Sequence, residues 1–374
     1  MEEDNITLHS KKNMKKKLSI IDWYIIKKFL GTYIFTIFLF MAIVITIDYI
    51  DKFESFNKNS APLQAIIFNY YLNFIPYFIN AFSSLFVFIA VIFFTSKLAD
   101  NSEIIAMLSS GLSFDRLVVP YVISATIIAA LTFFLNSYII PPGNIKRIEF
   151  ENKYVRDKEK KSDSNIQIEV DSGIIAYFGY FNTYNNRGTG FSLDSFEGKE
   201  LVSRLTAKNI ILDSTYHWTL YNYTIRNFEG MKETVIKGEK LDTVIPITPS
   251  DFLISIGDSE QLTTPELKTY IDRQKKRGIG NIQLFEIDYH KRYATSFAAF
   301  ILTIIGVSLS SRKIKGGMGL NLGFGLALSF GYILFMQITS TFAVSGAVSP
   351  MVAVWIPNVF YVFIAAVLYG RAPR

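Results

Sequence analysis

The sequence predicts an α-helical membrane protein with six transmembrane helices, three before and three after an inserted all-β domain of jelly-roll or sandwich type. Three observations lead there. Half of the 374 residues are hydrophobic, more than a soluble chain usually carries. The apolar residues gather in long charge-free blocks towards the two ends of the chain. Between them, from about 146 to 292, the sequence turns polar and breaks into short alternating runs.

A helix needs about 20 apolar residues to cross about 30 Å of hydrocarbon. The runs that meet this are 29–47, 74–95, 117–140, 294–311, 320–342 and 352–369, the last two cut from one block, 316–370, at Ser349 and Pro350. The first run is too long for a signal-peptide core and is followed by Asp48 and Asp51 rather than by small residues, so it reads as a retained helix. The block containing the second run already begins at Ala61. Its early part is expected either on the outer surface or as a tilted helix kinked at Pro76.

Charge asymmetry sets the orientation. Lys27 and Lys28, Lys97 and Arg116, Arg312 with Lys313 and Lys315, and Arg371 with Arg374 all fall on one side, together with Lys11, Lys12, Lys15, Lys16 and Lys17 ahead of the first run. The opposite short loops hold Asp48, Asp51 and Glu54 with Lys52 and Lys58, or no charge. Short basic loops stay in the cytoplasm, so both termini are predicted inside and the central domain outside. This explains the net charge of +6 better than nucleic-acid binding does.

In the central region Ile166, Ile168 and Val170 alternate with Gln167 and Glu169. Further strand-like runs are 174–181, 209–212, 217–225 and 243–247, separated by turn-rich stretches such as 185–190. A short helix is expected over 264–277, with Pro265 near its start and Gly278 after its end. With no cysteine, the domain must stabilise itself by burying a core. The predicted division is therefore 1–142, 143–290 and 291–374.

The search for catalytic chemistry finds no phosphate-binding loop, no metal spacing among His9, His217 and His290, and no charged residue inside the predicted spans. No cofactor is implied, and energy for any transport is expected from another subunit. Between the second and third spans, Asn101 or Ser102 can cap a short helix, Glu103 suits its positive end, and Gly111 can stop it. That amphipathic helix, with Ile104 in its first turn, is either a plain surface element or a docking helix for a partner. Gly319, Gly323, Ala327 and Gly331 recur every four residues and make one nearly bare helix face, suited either to packing within the chain or to a mobile contact with a second subunit. Asn69, Asn73, Asn80 and Ser84 suit interhelical hydrogen bonds, or the lining of a polar vestibule. Trp218, Tyr221 and Tyr223 read as sheet or core residues, and His217 and His290 are given no role.

These residues resemble a known family, the lipopolysaccharide-export permeases LptF/LptG, over almost the whole chain. The resemblance rests on Ile21-Asp22-Trp23-Tyr24-Ile25, on Ser102-Glu103-Ile104 through Ser109-Gly111-Leu112-Ser113, and on 141–154. It continues through Trp218-Thr219-Leu220, Leu262-Thr263 to Leu267, and Trp355-Ile356-Pro357-Asn358. It implies an ABC-type half-transporter of the inner membrane that pairs with a second permease, a cytoplasmic ATPase dimer and a bitopic adaptor carrying a periplasmic jelly roll. It would move lipopolysaccharide, with Glu103, Ser102, Ile104 and Gly111 coupling to the ATPase. The Gly319, Gly323, Ala327 and Gly331 face would serve a lateral gate, and Ile168, Trp218 and Leu220 would line a lipid conduit in the β domain. Similarity at the start of the chain leans towards the LptG branch. One departure is that Asp48 and Asp51, with Lys52 after them, stand where some members carry cations for lipid phosphates. Two other readings stay open: a membrane sensor with an outer ligand-binding domain, and a membrane enzyme acting on envelope lipids.

Overall fold

The computed structural model describes residues 19–155, 162–182, 185–230, 232–248, 256–276, 282–312 and 317–372. The lysines at 11, 12, 15, 16 and 17, together with His9, Gly278, Lys313, Lys315 and Arg374, lie outside the described residues. Six helices are long and apolar enough to span a bilayer, and a six-stranded antiparallel sheet is inserted between the third and the fourth. The fold class is the one the sequence predicts.

Helix α1 (Ile20–Lys58) starts in a capping box. The Ser19 hydroxyl accepts from the Asp22 backbone N–H, and the Asp22 carboxylate accepts from the Ser19 N–H. Its 39 residues rise about 58 Å at 1.5 Å each, so it outruns a hydrocarbon layer by many residues. The long second block is helical from Leu63, through a π-helical stretch Ile66–Tyr71 and α2 (Leu72–Ala81), to a break at Phe82 before α3 (Ser83–Asp100). Pro76 sits inside α2, yet the interruption falls at Phe82, whose φ is −108° and ψ 16°. A short α4 (Glu103–Ser109) leads to α5 (Phe114–Phe134), a second π-helical stretch Leu135–Ile139 and α6 (Ile140–Tyr154). After the sheet come α7 (Ile256–Ser259), α8 (Thr264–Lys276), α9 (Gln283–Ser310), α10 (Gly317–Val344) and α11 (Pro350–Gly370).

Helix α3 is the hub. It is buried nearly all round, and its Phe86, Val87, Ala90 and Val91 join one core with α1, α5 and α4, while Phe88 and Ile92 join another with α9, α10 and α11. Close approach depends on glycine. A Cβ on Gly306 of α9 would collide with Val91, and one on Gly325 of α10 with Ile92. Many Ser and Thr hydroxyls in the bundle donate back to carbonyls of their own helix, and other polar groups are tied across helices, as hydrocarbon demands. Asn321 donates to the Ser96 hydroxyl at 3.1 Å, and Asn358 donates to the Ala294 carbonyl while accepting from Tyr332, both at 2.9 Å.

The sheet contains β1 (Ser162–Asp171), β2 (Ile174–Asn182), β3 (Arg187–Glu197), β4 (Glu200–Ser214), β5 (His217–Glu229) and β6 (Lys232–Val244). Each strand pairs with its neighbour in sequence, an up-and-down order that alternation alone cannot separate from a sandwich or jelly roll. The sheet is also folded over. Trp218 on β5 lies 5.9 Å from Phe181 and 6.0 Å from Phe178 on β2, whereas three strand spacings in a flat sheet would hold them about 14 Å apart. Bulges at 169/171, 195/196 and 212/214 accompany this curvature.

Two strands differ from the sequence reading. Residues 187–190 open β3 rather than belonging to a turn-rich stretch. Gly188 is required there because a Cβ would meet Ile210, Phe178 and Phe181 at 2.8 to 3.1 Å. β6 is a charged edge strand, largely exposed, of the kind that discourages edge-to-edge pairing. Residues 245–247 continue beyond it outside the strand, with the Ile245 N–H donating to the Tyr216 carbonyl at 2.9 Å and Ile245 and Ile247 inserted into the core.

The glycine contacts yield a stability prediction. Gly306→Leu is expected to cost about 1–3 kcal/mol by overpacking the α3–α9 contact. Gly319→Leu, on a face where a Cβ meets nothing within 4 Å, is expected to leave the thermal midpoint in detergent unchanged.

Candidate functional site

Three surfaces hold the residues singled out by sequence, and they lie on separate elements. The first is α4. Ile104 is fully buried, and Met107 and Leu108 pack beside it on the α1–α3–α5 core, while Ile105 remains 54% exposed. Ser102 occupies the cap position with φ +62° but makes no capping hydrogen bond through its side chain, contrary to the capping role its residue type suggests. Gly111 ends the segment at φ +91°, where glycine is favoured. Glu103 is held at two oxygens, by the Tyr24 hydroxyl at 3.2 Å and the Asn101 amide at 3.3 Å.

Beside α4, Arg116 of α5 grips Asp22 of α1. One guanidinium N–H donates at 2.7 Å and a second contact completes the fork, with Asp22 only 3% exposed. A forked pair of this kind fixes orientation as well as distance. Tyr369 of α11 donates to Asp115 on the same turn of α5. The starts of α1 and α5, the end of α11 and the short α4 are therefore one polar assembly.

The second surface is the outer face of α10. Gly319, Gly323 and Ala327 are exposed, and a Cβ on either glycine meets nothing within 4 Å. Only Gly331 approaches a neighbour, with its added Cβ 3.1 Å from the Tyr361 hydroxyl. The stripe is thus bare, and packing within the chain falls instead to the other face, through Asn321, Gly325 and Ser329.

The third surface is the inside of the bent sheet. Ile168, Trp218 and Leu220 are 2%, 1% and 0% exposed, and the Trp218 indole donates to the Ile245 carbonyl at 3.2 Å. Their side chains fill the fold of the sheet together with Phe178, Phe181 and Phe191.

Sequence reasoning misses a fourth feature, a buried ionic lattice where the chain leaves the bundle and returns. Arg147 of α6 donates to Glu151 at 3.0 Å and to Asn144 at 3.1 Å, lies 3.8 Å from Glu260, and stacks 4.3 Å from the Tyr77 ring centroid. Arg292 of α9, 2% exposed, donates to Thr264, to the Ser259 carbonyl and to Asp288 at 2.9 to 3.0 Å. Both arginines clasp the returning segment 256–264. Between them lies a polar cavity of about 140 Å³ lined by Asn80, Asn136, Asp288 and Lys291, room for a few waters. The only sequence signal is arginines flanking apolar runs, which positive-inside reasoning assigns to solvent.

Two smaller expectations are refined. Asn73 donates to the carbonyls of Phe68 and Asn69 in its own helix, and Asn80 faces the cavity. Lys52 is committed to Asp48 at 2.5 Å, with the Tyr70 hydroxyl against its amino group and the Tyr71 hydroxyl on Asp48 at 3.2 Å. Lys52 is therefore internally neutralised.

Burial, and then the Asp288 charge, raises the Glu260 carboxyl above its ordinary value of 4.5, despite the opposing pull of Arg147 and Lys291. The folded state holds that proton more tightly than the unfolded chain does, so this contribution to stability is lost as pH rises above about 4.5 through the raised value. Glu260→Gln is expected to flatten that dependence. Thermal melts of both proteins between acid and neutral pH measure it.

Among known proteins, the family model described as lipopolysaccharide export system permease LptF/LptG matches residues 23–371, one model covering both branches. No curated protein matches the chain.

Proposed function

The chain belongs to the lipopolysaccharide-export permease family LptF/LptG, an inner-membrane transport subunit rather than an enzyme, and from that premise we propose that it is half of an ABC-type exporter. In this reading it pairs with a second permease. Together they draw lipopolysaccharide sideways from the outer leaflet and pass it to a periplasmic bridge of β domains, reached through a bitopic adaptor. The observation that carries the reading is a family match spanning both helical units and the inserted sheet.

Supporting arguments come from physical chemistry. The predicted spans hold no Asp, Glu, Lys, Arg or His, the groups that carry protons through pumps, and in this reading the work is done by a cytoplasmic ATPase dimer. With the termini inside and the sheet in the periplasm, α4 is the docking helix. Ile104 anchors it, Ile105 faces outward, and Glu103 meets a basic group on the ATPase, with Ser102 and Gly111 setting its ends. Load on α4 then reaches α1 through Tyr24 and reaches α5 directly.

The bare face of α10, from Gly319 to Gly331, is the gate contact with the second permease, where small residues let helices slide at close range. Ile168, Trp218 and Leu220 are the inner wall that opens to acyl chains. An apolar route matters because each methylene exposed to water costs about 0.8 kcal/mol. Phosphate contact falls to other cations, since Lys52 is held by Asp48.

Glu103→Lys is expected to weaken ATPase capture by about tenfold or more through like-charge contact while sparing the chain's own fold. Co-purification with the ATPase subunit checks it, and undiminished capture would remove Glu103 from the coupling.

A further inference from the structure

An open cavity of about 470 Å³ runs along the first turns of α1 against α3. Lys27 and Lys28 line it with Tyr24, Phe35 and Phe93. Gly31 keeps it clear, since a Cβ there meets nothing within 4 Å. Among the described residues neither lysine has an acidic partner, because Asp22 is taken by Arg116 and Glu103 by Tyr24 and Asn101. Lys28 instead lies 6.0 Å from the Tyr24 ring centroid.

Depth gives the groove its meaning. Trp23 is 63% exposed and Tyr24 40%, and aromatic residues of this kind mark the headgroup level. Phe35 lies about 10 Å further along α1 than Lys28 at 1.5 Å per residue, inside the hydrocarbon. Phe93 stands seven residues before the end of α3 at Asp100, which places it at a matching depth from the same side. Two uncompensated cations thus sit above an aromatic trough, the layout of an anionic headgroup above its acyl chains. A neighbouring helix drawn from charge-free spans like these would leave both cations unanswered.

We propose that this groove binds an anionic phospholipid of the leaflet on the Arg116 side, with its phosphate between Lys27 and Lys28 and an acyl chain along Gly31, Phe35 and Phe93. The site requires that the helices span a bilayer and is independent of what the chain transports. Such a lipid, held beside Tyr24, borders the α4 assembly and fixes the depth of α1.

The test places a benzophenone side chain at position 93 of the full-length protein in nanodiscs of phosphatidylcholine with a minor share of phosphatidylglycerol. Phosphatidylglycerol is expected to be enriched among lipids captured at 93 by about 30-fold, the equivalent of about 1 kcal/mol for each lysine. In Lys27→Gln/Lys28→Gln, both exposed substitutions, the captured ratio is expected to fall to that of the bilayer. A probe at Phe363 should report the bilayer ratio throughout. Gly31→Leu, which fills open space, should reduce capture of both lipids at 93 without shifting the thermal midpoint. A bilayer ratio at 93 in the unsubstituted protein, enrichment that survives loss of both lysines, or capture of a polypeptide in place of lipid would each overturn the proposal.

Discussion

Hydrocarbon does not tolerate unpaired charge, and that constraint organises the molecule. The middle of every predicted span is free of Asp, Glu, Lys, Arg and His, so α3 can be buried nearly all round and pack through aliphatic and aromatic contact against two helix groups at once. Charge is displaced to the two ends of the bundle and is put to structural use there. At one end the Asp22–Arg116 fork ties α1 to α5 beside α4. At the other, Arg147 and Arg292 clasp the segment by which the chain re-enters the helices.

A smooth apolar middle between two ionic ends has a mechanical consequence. In the proposed function such a bundle is driven at its ends. The short α4 offers a contact at one end, held to α1 through Glu103 and Tyr24. The arginine lattice offers a stiff connection at the other, where α6 leaves towards the sheet and α9 returns. Lys52, engaged with Asp48 and the tyrosines of the π-helical stretch, braces the part of α1 that projects beyond the bilayer.

Much of this was legible in the sequence, for identifiable reasons. The six spans were readable because length and the absence of charge are properties of local sequence. The break at Phe82 was not, because Pro76 is the stronger local signal and the break depends on how α2 and α3 pack. The strands with clean alternation, β1 and β5, stood out. β3 was hidden by Gly188, whose role is tertiary: it makes room for Ile210 and Phe178. The bare face of α10 was recognisable as small residues every fourth position, yet only coordinates distinguish it from the packed glycine face at Gly325. The ionic lattice was illegible because its partners, Arg147, Glu260 and Arg292, lie up to 145 positions apart in the chain and meet only through the fold.

In the proposed function this chain is one half of a lipid extractor that works only when driven and completed from outside. The most direct measurement is release of lipopolysaccharide from proteoliposomes to a soluble β-domain acceptor, with this chain, the second permease and the ATPase each omitted in turn. The account predicts ATP-dependent release only when all three are present. Release that persists without this chain, or chemical conversion of the lipid by this chain alone, would contradict it.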